Sequence, residues 1–319
     1  MVLPSVIVVI AACILDRLIG DPRWCLHPVQ VMGAVIGQLR LWVETMAGDR
    51  PWALRLGGGL ITLVLVSGST AAGWGLEQLS LQIPWGFLLL VIALASALAG
   101  RSLRLAVEDV LKPLSSSPPD LELARQKLGW IVGRDVEGLP ADELLRATAE
   151  TASENAVDGL FAPLFWMLIG AGLWSLNPAL PGPLALAWAF KASSTLDSML
   201  GYRRGRLQWL GTAGARLDDA LTWLPCRLLA LSLGQLRPAL ADGASDPSPN
   251  AGVSQAAYAH ALGLQLGGLN RYGGIERTKP LLNSAGRAAD QKGVQAILKV
   301  SQRCALLWLG LSGLVALLA

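Results

Sequence analysis

The chain has 319 residues, 53% of them hydrophobic and only 15% charged, with a formal net charge of +3 and a mean hydropathy of +0.47. A soluble domain runs to about a quarter charged residues, so an ordinary cytosolic globule is excluded. Disorder needs low hydrophobicity and a nucleic-acid module needs clustered positive charge, which excludes both and leaves the lipid bilayer as solvent for much of the chain.

A helix crossing about 30 Å of hydrocarbon needs roughly 20 apolar residues. Charge-free runs cover 1–15, 56–76, 78–100, 159–190 and 304–319. The first run contains Ile10-Ala11-Ala12-Cys13, similar to a lipoprotein cleavage site, but no Lys or Arg precedes it, so an uncleaved span is expected. The fourth is broken by Asn177, Pro178, Pro181, Gly182 and Pro183, which reads as a span, a tight turn and a return. The expectation is an all-α, polytopic membrane protein, a single helical domain with about six spans at 1–15, 56–76, 78–100, 159–176, 184–200 and 304–319. Helical loops at 16–55, 101–158 and 201–303 connect them.

The basic residues test this count, because loops rich in Lys and Arg stay cytoplasmic. All 26 fall in 16–55, 101–158 and 191–303, and none lies around Glu77 or from Asn177 to Pro183. Six crossings with both ends outside place every basic stretch, and all the acids except Glu77, on the cytoplasmic face of a bacterial inner membrane. Trp74, Trp85 and Trp174 then sit near the outer interface.

In the first loop, Asp16-Arg17-Leu18-Ile19-Gly20-Asp21-Pro22 is followed by His27-Pro28. Charged residues at a span's end usually anchor the interface, but Lys or Arg would do that more cheaply than two acids. In the second, Arg101 precedes Arg104, Glu108 and Asp109, and Gly133-Arg134-Asp135 suits a tight loop that offers amides and a guanidinium to an anion. Asp142, Arg146, Glu150, Glu154 and Asp158 then recur every fourth residue, with Asn155 beside them. Such a stripe is most often a solvated face, yet Glu150, Glu154 and Asp158 are read as having no i+4 basic partner, which favours a shared cation.

In the third loop stand Asp197, Tyr202, the run Arg216-Leu217-Asp218-Asp219, Arg227, the rigid turn Pro247-Ser248-Pro249-Asn250 and the flexible Tyr272-Gly273-Gly274. An Asp pair at a helix end is a frequent Mg²⁺ ligand, and nearby Arg residues fit anionic oxygens. No run alternates long enough to argue for a sheet. Four cysteines fall in no pair closer than 12 residues, two histidines lie far apart, and neither a P-loop nor a dinucleotide fingerprint occurs.

Six motifs, in order, carry a resemblance. They are Asp16 to Pro22 with His27-Pro28-Val29; Val132-Gly133-Arg134-Asp135; Ala149-Glu150-Thr151 through Glu154-Asn155 to Asp158-Gly159; Thr195-Leu196-Asp197 to Tyr202; Ala215-Arg216-Leu217-Asp218-Asp219; and Ser248-Pro249-Asn250-Ala251-Gly252. Together they closely resemble the adenosylcobinamide-phosphate synthase family of cobalamin biosynthesis, over nearly the whole chain. One position departs: Ser194 stands where the family usually has Asn.

The resemblance implies an integral membrane ligase that joins aminopropanol, or its phosphate, to adenosylcobyric acid through an amide, using ATP and Mg²⁺. It implies Glu150, Glu154, Asp158 and Asp197 as catalytic residues, and Glu154, Asp158, Asp218 and Asp219 around the metal. Substrate and ATP would meet Asp16, Arg17, Asp21, His27, Arg101, Arg134, Asp135, Asn155, Tyr202, Arg216, Arg227 and Asn250. Its partners would be the bilayer and other cobalamin-pathway membrane proteins, with no nucleic acid. The rival reading is a corrinoid transporter or scaffold, which should carry polar groups in mid-span where these spans are almost bare.

Overall fold

The computed structural model describes residues 2–21 and 27–318, so Pro22 and Cys25 lie outside the described residues. In chain order the helices are α1 (Val2–Leu18), α2 (Pro28–Ala47), α3 (Pro51–Ser80) and α4 (Gly86–Ala95). Then come α5 (Gly100–Leu114), α6 (Leu121–Gly129) and α7 (Ala141–Ala156), which passes through a π turn (Val157–Phe161) directly into α8 (Ala162–Leu176). They are followed by α9 (Pro183–Leu200), α10 (Leu207–Leu210), α11 (Thr212–Ser232), α12 (Leu236–Gly243) and α13 (Ala251–Leu262). An antiparallel hairpin, β1 (Leu266–Tyr272) and β2 (Ile275–Leu282), precedes α14 (Gln291–Leu318).

Local chemistry sets these ends. Pro28 and Pro51 sit in first turns, where their missing N–H costs nothing, and Asp120 caps α6 by accepting from Leu123 N at 2.9 Å. Asn177 to Gly182 breaks α8 from α9, as the sequence predicts. Two boundaries differ from expectation: α3 runs on to Ser80, so the next helix starts at Gly86, and the last span is the end of a helix that begins at Gln291. The hairpin is also unforeseen.

Taking α4 with α5 and α7 with α8, four helices are long and apolar enough to cross a membrane: Pro51–Ser80, Gly86–Leu114, Ala141–Leu176 and Gln291–Leu318. Among the described residues, α1, with 17 residues, and α9, which carries Lys191 and Asp197, do not meet that measure. Apolar side chains on their surfaces, such as Leu56, Leu60 and Leu63 on α3 and Leu311, Leu314 and Val315 on α14, are more than half exposed, which suits contact with lipid.

The chain divides into two compact units. The first comprises Met1–Ala99, Ala162–Leu221 and Leu309–Ala319; its core packs Met32, Ile36 and Val43 of α2 against Leu54, Ile61 and Leu65 of α3 and Leu196 and Leu200 of α9. Gly58 lets α3 approach α10, since a Cβ there would lie 1.9 Å from Leu210 O. The second comprises Gly100–Phe161 and Thr222–Trp308; its core joins Val110 and Leu114 of α5, Ala124 and Leu128 of α6, and Leu144 and Ala147 of α7.

Glu77, the lone acid between the second and third predicted spans, has a specific task in the first unit. Fully buried, it accepts from Gly182 N at 2.8 Å, Leu184 N at 2.6 Å and Ala185 N at 3.1 Å, so a carboxylate of α3 caps α9. Around it Trp74 Nε1 donates to Ala179 O, while Gln78 Nε2 and Trp174 Nε1 donate to Pro178 O. Glu77→Ala should destabilise the protein by about 1–3 kcal/mol for each amide left without an acceptor, with Glu77→Gln milder. Thermal unfolding in detergent measures this, and an unchanged midpoint in the Ala variant would rule out the cap.

Candidate functional site

In the second unit the acid stripe lies on α7, but its members have separate fates. Glu150 accepts from Arg146 Nη1 at 2.8 Å, Arg134 Nη2 at 2.6 Å and the Gly267 amide at 2.9 Å. All three side chains are nearly excluded from solvent, at 6% for Glu150, 13% for Arg146 and 8% for Arg134. The expectation that Glu150 lacks a basic partner is therefore corrected: one guanidinium comes from the preceding turn of its own helix and another from the loop between α6 and α7. Arg134 is paired with Glu150 rather than with its neighbour Asp135, and its other arm meets Asn270 Oδ1.

This triad binds the hairpin to α7. Arg146 also donates to Gly267 O and Leu269 O, 2.6 and 2.7 Å away. Gly267 is required by shape: its φ is +85°, and a Cβ would lie 1.9 Å from Pro280 O across the bulged pair. Arg134, Glu143, Arg146, Asn270, Arg271 and Glu276 line a cleft of about 290 Å³ there.

Asp135 pins the hairpin tip, accepting from Gly274 N at 2.7 Å and Gly273 N at 3.0 Å while its own amide donates to Arg271 O. The Gly274 and Gly273 amides hold this exposed carboxyl below the usual carboxylate range. A depressed carboxyl stabilises above its unfolded value and loses that contribution as pH falls through its folded one. Amide exchange at Gly273 and Gly274, corrected for its intrinsic pH dependence, should be protected at neutral pH and lose protection in acid. Asp135→Asn should remove that pH dependence. Wild-type protection indifferent to acid would refute the tether.

Glu154 lies one turn beyond the triad. It sits deep among packed atoms yet keeps part of its surface accessible, and it accepts from Gln255 Nε2 of α13 at 2.9 Å. Lys279, on β2, is near enough to act on its charge and is paired with Asp246 at 3.2 Å. Burial by itself would lower the Lys279 ammonium, but Asp246, Glu154 and Tyr272 outweigh it and hold the group above its ordinary value. Asp246 Oδ1 accepts from Ser248 N, and Ser248 Oγ accepts from the amides of Asn250 and Ala251, so the predicted rigid turn is the lead-in to α13. Arg227 holds that turn from α11, donating to Asn250 Oδ1 at 2.6 Å and Pro249 O at 2.7 Å.

Asp158 departs from the stripe. The regular i, i+4 pattern assumes an unbroken α-helix, whereas the π turn begins at Val157 and shifts the register of the following residues by a fraction of a turn. Asp158 is near enough to Cys226 of α11 to act on it electrostatically. Asn155 turns back to Thr151 O at 3.0 Å, and Arg101 lies in the first turn of α5, partly buried.

In the first unit, Asp16 is buried at the end of α1 and Arg17 is exposed. His27 caps α2: its Nδ1 accepts from Val29 N, which leaves Nε2 to donate to Asp21 Oδ1 at 3.2 Å. Asp197, in the last turn of α9, lies within electrostatic reach of Asp219 on α11, beside Asp218. Arg216 is exposed one turn earlier on α11, and Tyr202, 45% exposed, stacks on Arg204. Among the described residues no three of His, Cys, Asp and Glu converge to hold a metal unaided. A pair of hard carboxylates such as Asp197 and Asp219 suits Mg²⁺ that arrives on a phosphate, which supplies the remaining oxygens.

Sequence reasoning missed Gln255, Lys279, Asp246 and Asn270. The Gly273-Gly274 pair between two strand-length runs was the available signal for the hairpin that carries Lys279 and Asn270.

Comparison with known proteins matches residues 9–301 to the family described as CobD/Cbib protein. The chain is similar to the cobalamin biosynthesis protein CobD of Synechocystis sp., at 41% identity over 99% of this chain and 92% of the relative. It is also similar to the cobalamin biosynthesis protein CbiB of Salmonella typhi (38%, 93% and 91%) and to CobD of Klebsiella pneumoniae (39%, 96% and 94%). No solved structure matches.

Proposed function

The chain belongs to the CobD/CbiB family of cobalamin biosynthesis, and from that premise we propose that it is the ATP-dependent amide ligase of the pathway, joining aminopropanol or its phosphate to adenosylcobyric acid. The observation that carries this reading is Glu154, a deep but accessible carboxylate oriented by Gln255 beside the Lys279–Asp246 pair. An unactivated carboxylate becomes an amide only after phosphoryl transfer, and the incoming amine must lose a proton. Glu154 is the acceptor for that proton. Asp197 and Asp219 would hold Mg²⁺ on ATP, where the ion supplies charge neutralisation at the phosphate oxygens. The exposed Arg216 would meet the same oxygens, and the Glu150 triad would serve by holding the hairpin.

Mass spectrometry of products formed by membranes containing the protein tests this, with adenosylcobyric acid, ATP and each candidate amine supplied. An amide adduct with release of ADP and phosphate is expected. Transport or retention of corrinoid without an adduct would favour the transporter or scaffold.

The distribution of Lys and Arg supports a site facing the cytoplasm of a bacterial inner membrane. Reporters fused after Asp120 and after Leu318 should report opposite compartments. Both reporting the cytoplasm would remove the last crossing and this topology with it.

A further inference from the structure

Gln255 is 2% exposed, and its amide is divided between two conditions. The nitrogen donates to Glu154 Oε2, while among the described residues the oxygen, Oε1, is buried with no hydrogen-bond partner. With Glu154 as the unprotonated base of the reaction proposed above, its carboxylate only accepts, so the amide nitrogen faces Glu154 and the oxygen faces elsewhere. A buried acceptor without a donor is costly, and native proteins keep few of them. The place beside this oxygen therefore calls for a group that donates.

The surrounding charge narrows the choice. Glu154 presents a carboxylate that remains partly accessible, and Gln255 Oε1 adds a second acceptor on an adjacent side chain. Lys279 already brings one cation to this neighbourhood and is satisfied by Asp246 at 3.2 Å. A divalent cation next to that ammonium would be repelled and would find too few oxygens, given that no three acids converge among the described residues. A primary ammonium carries a single charge and three N–H donors, which suits two adjacent acceptors.

We propose that Glu154 and Gln255 Oε1 form the subsite that receives the ammonium group of a short amino alcohol. The inference rests on the ligase reading above and names the side chains that recognise its amine. Gln255 binds and orients the nitrogen while Glu154 neutralises its charge. The indole of Trp188 also has a buried nitrogen without a partner among the described residues, but it lies in the first unit beside an apolar groove of α2 and α3 and offers a donor, the wrong sense for an amine.

The test uses the full chain in detergent, with 1-amino-2-propanol and its phosphate as probes. Titration calorimetry without ATP or corrinoid should show that wild type binds the amine and that Gln255→Leu, close in shape but lacking the acceptor, binds about ten- to a hundredfold more weakly. In turnover assays the same variant should raise the KM for the amine by a similar factor and leave the KM for ATP unchanged. Gln255→Glu, which restores an acceptor, should recover part of the binding, and matched thermal unfolding shows that the variants are folded.

Equal amine binding by wild type and Gln255→Leu overturns the subsite, as does a parallel rise in both KM values or loss of amine binding on adding excess Mg²⁺ alone. Amine binding that depends on Gln255 in a protein that forms no amide would leave the subsite standing and sink the ligase reading instead.

Discussion

Glu154→Gln should lower turnover by roughly a hundred- to ten-thousandfold, the range set by loss of a general base, while the protein remains folded. The substitution keeps the length and planarity of the side chain and still offers an oxygen to Gln255 Nε2, which the wild-type carboxylate meets at 2.9 Å. It removes the negative charge, and with it the capacity to take a proton from the amine. Glu154→Asp retains the charge but draws it back by one methylene, so it should recover part of the rate. Product formation measured with all substrates in excess reads the effect on turnover rather than on binding. A near-normal rate in Glu154→Gln would remove the base from this site.

The largest loss of stability should follow Glu150→Ala. Removing one member of a buried ion group commonly costs about 3–5 kcal/mol, because the remaining charges are left without compensation. Here Arg134 would lose its carboxylate partner, Arg146 would keep only Glu143, and the Gly267 amide would be without an acceptor. Replacing Glu150 with Gln keeps an acceptor for that amide and should cost less. Unfolding in detergent gives the loss, and proteolysis within the hairpin should accelerate in step with it. A fully stable Glu150→Ala protein without activity would return Glu150 to the chemistry.

The sequence made the membrane helices legible because a bilayer demands long uncharged runs, and no local contact can replace them. The turn at Asn177 to Gly182 and the helix from Ala141 were equally plain, since Pro, Gly and periodic apolar residues act locally. The hairpin was not. Its strands include Gly267, Gly268 and Pro280, residues that ordinarily break strands, and its stability comes from Arg146, Glu150 and Asp135, all more than a hundred residues earlier.

The site was legible in part for the same reason. Glu154 was visible as an acid on a helical face, but the residues that orient it come from α13 and β2, and no spacing rule links Glu154 to Gln255 or Lys279. The stripe itself misled at both ends. A guanidinium from the loop before α7 joined Arg146 to neutralise Glu150, and a single π turn shifted Asp158 out of register.

The cap that Glu77 places on α9 also bears on biogenesis. The third and ninth helices are synthesised apart, and on the six-span topology proposed above α3 enters the bilayer while Gly182, Leu184 and Ala185 have yet to emerge from the ribosome. During that interval a carboxylate waits at the far surface without its acceptor-hungry amides, and when α9 arrives its leading turn reaches the same surface with three bare N–H groups. Each is costly in lipid and cheap in headgroup water, so the pair penalises any insertion that stops short of full depth. On that topology the contact acts as a latch on translocation: α9 would come to rest only when its first turn had crossed completely and found the acid left there for it.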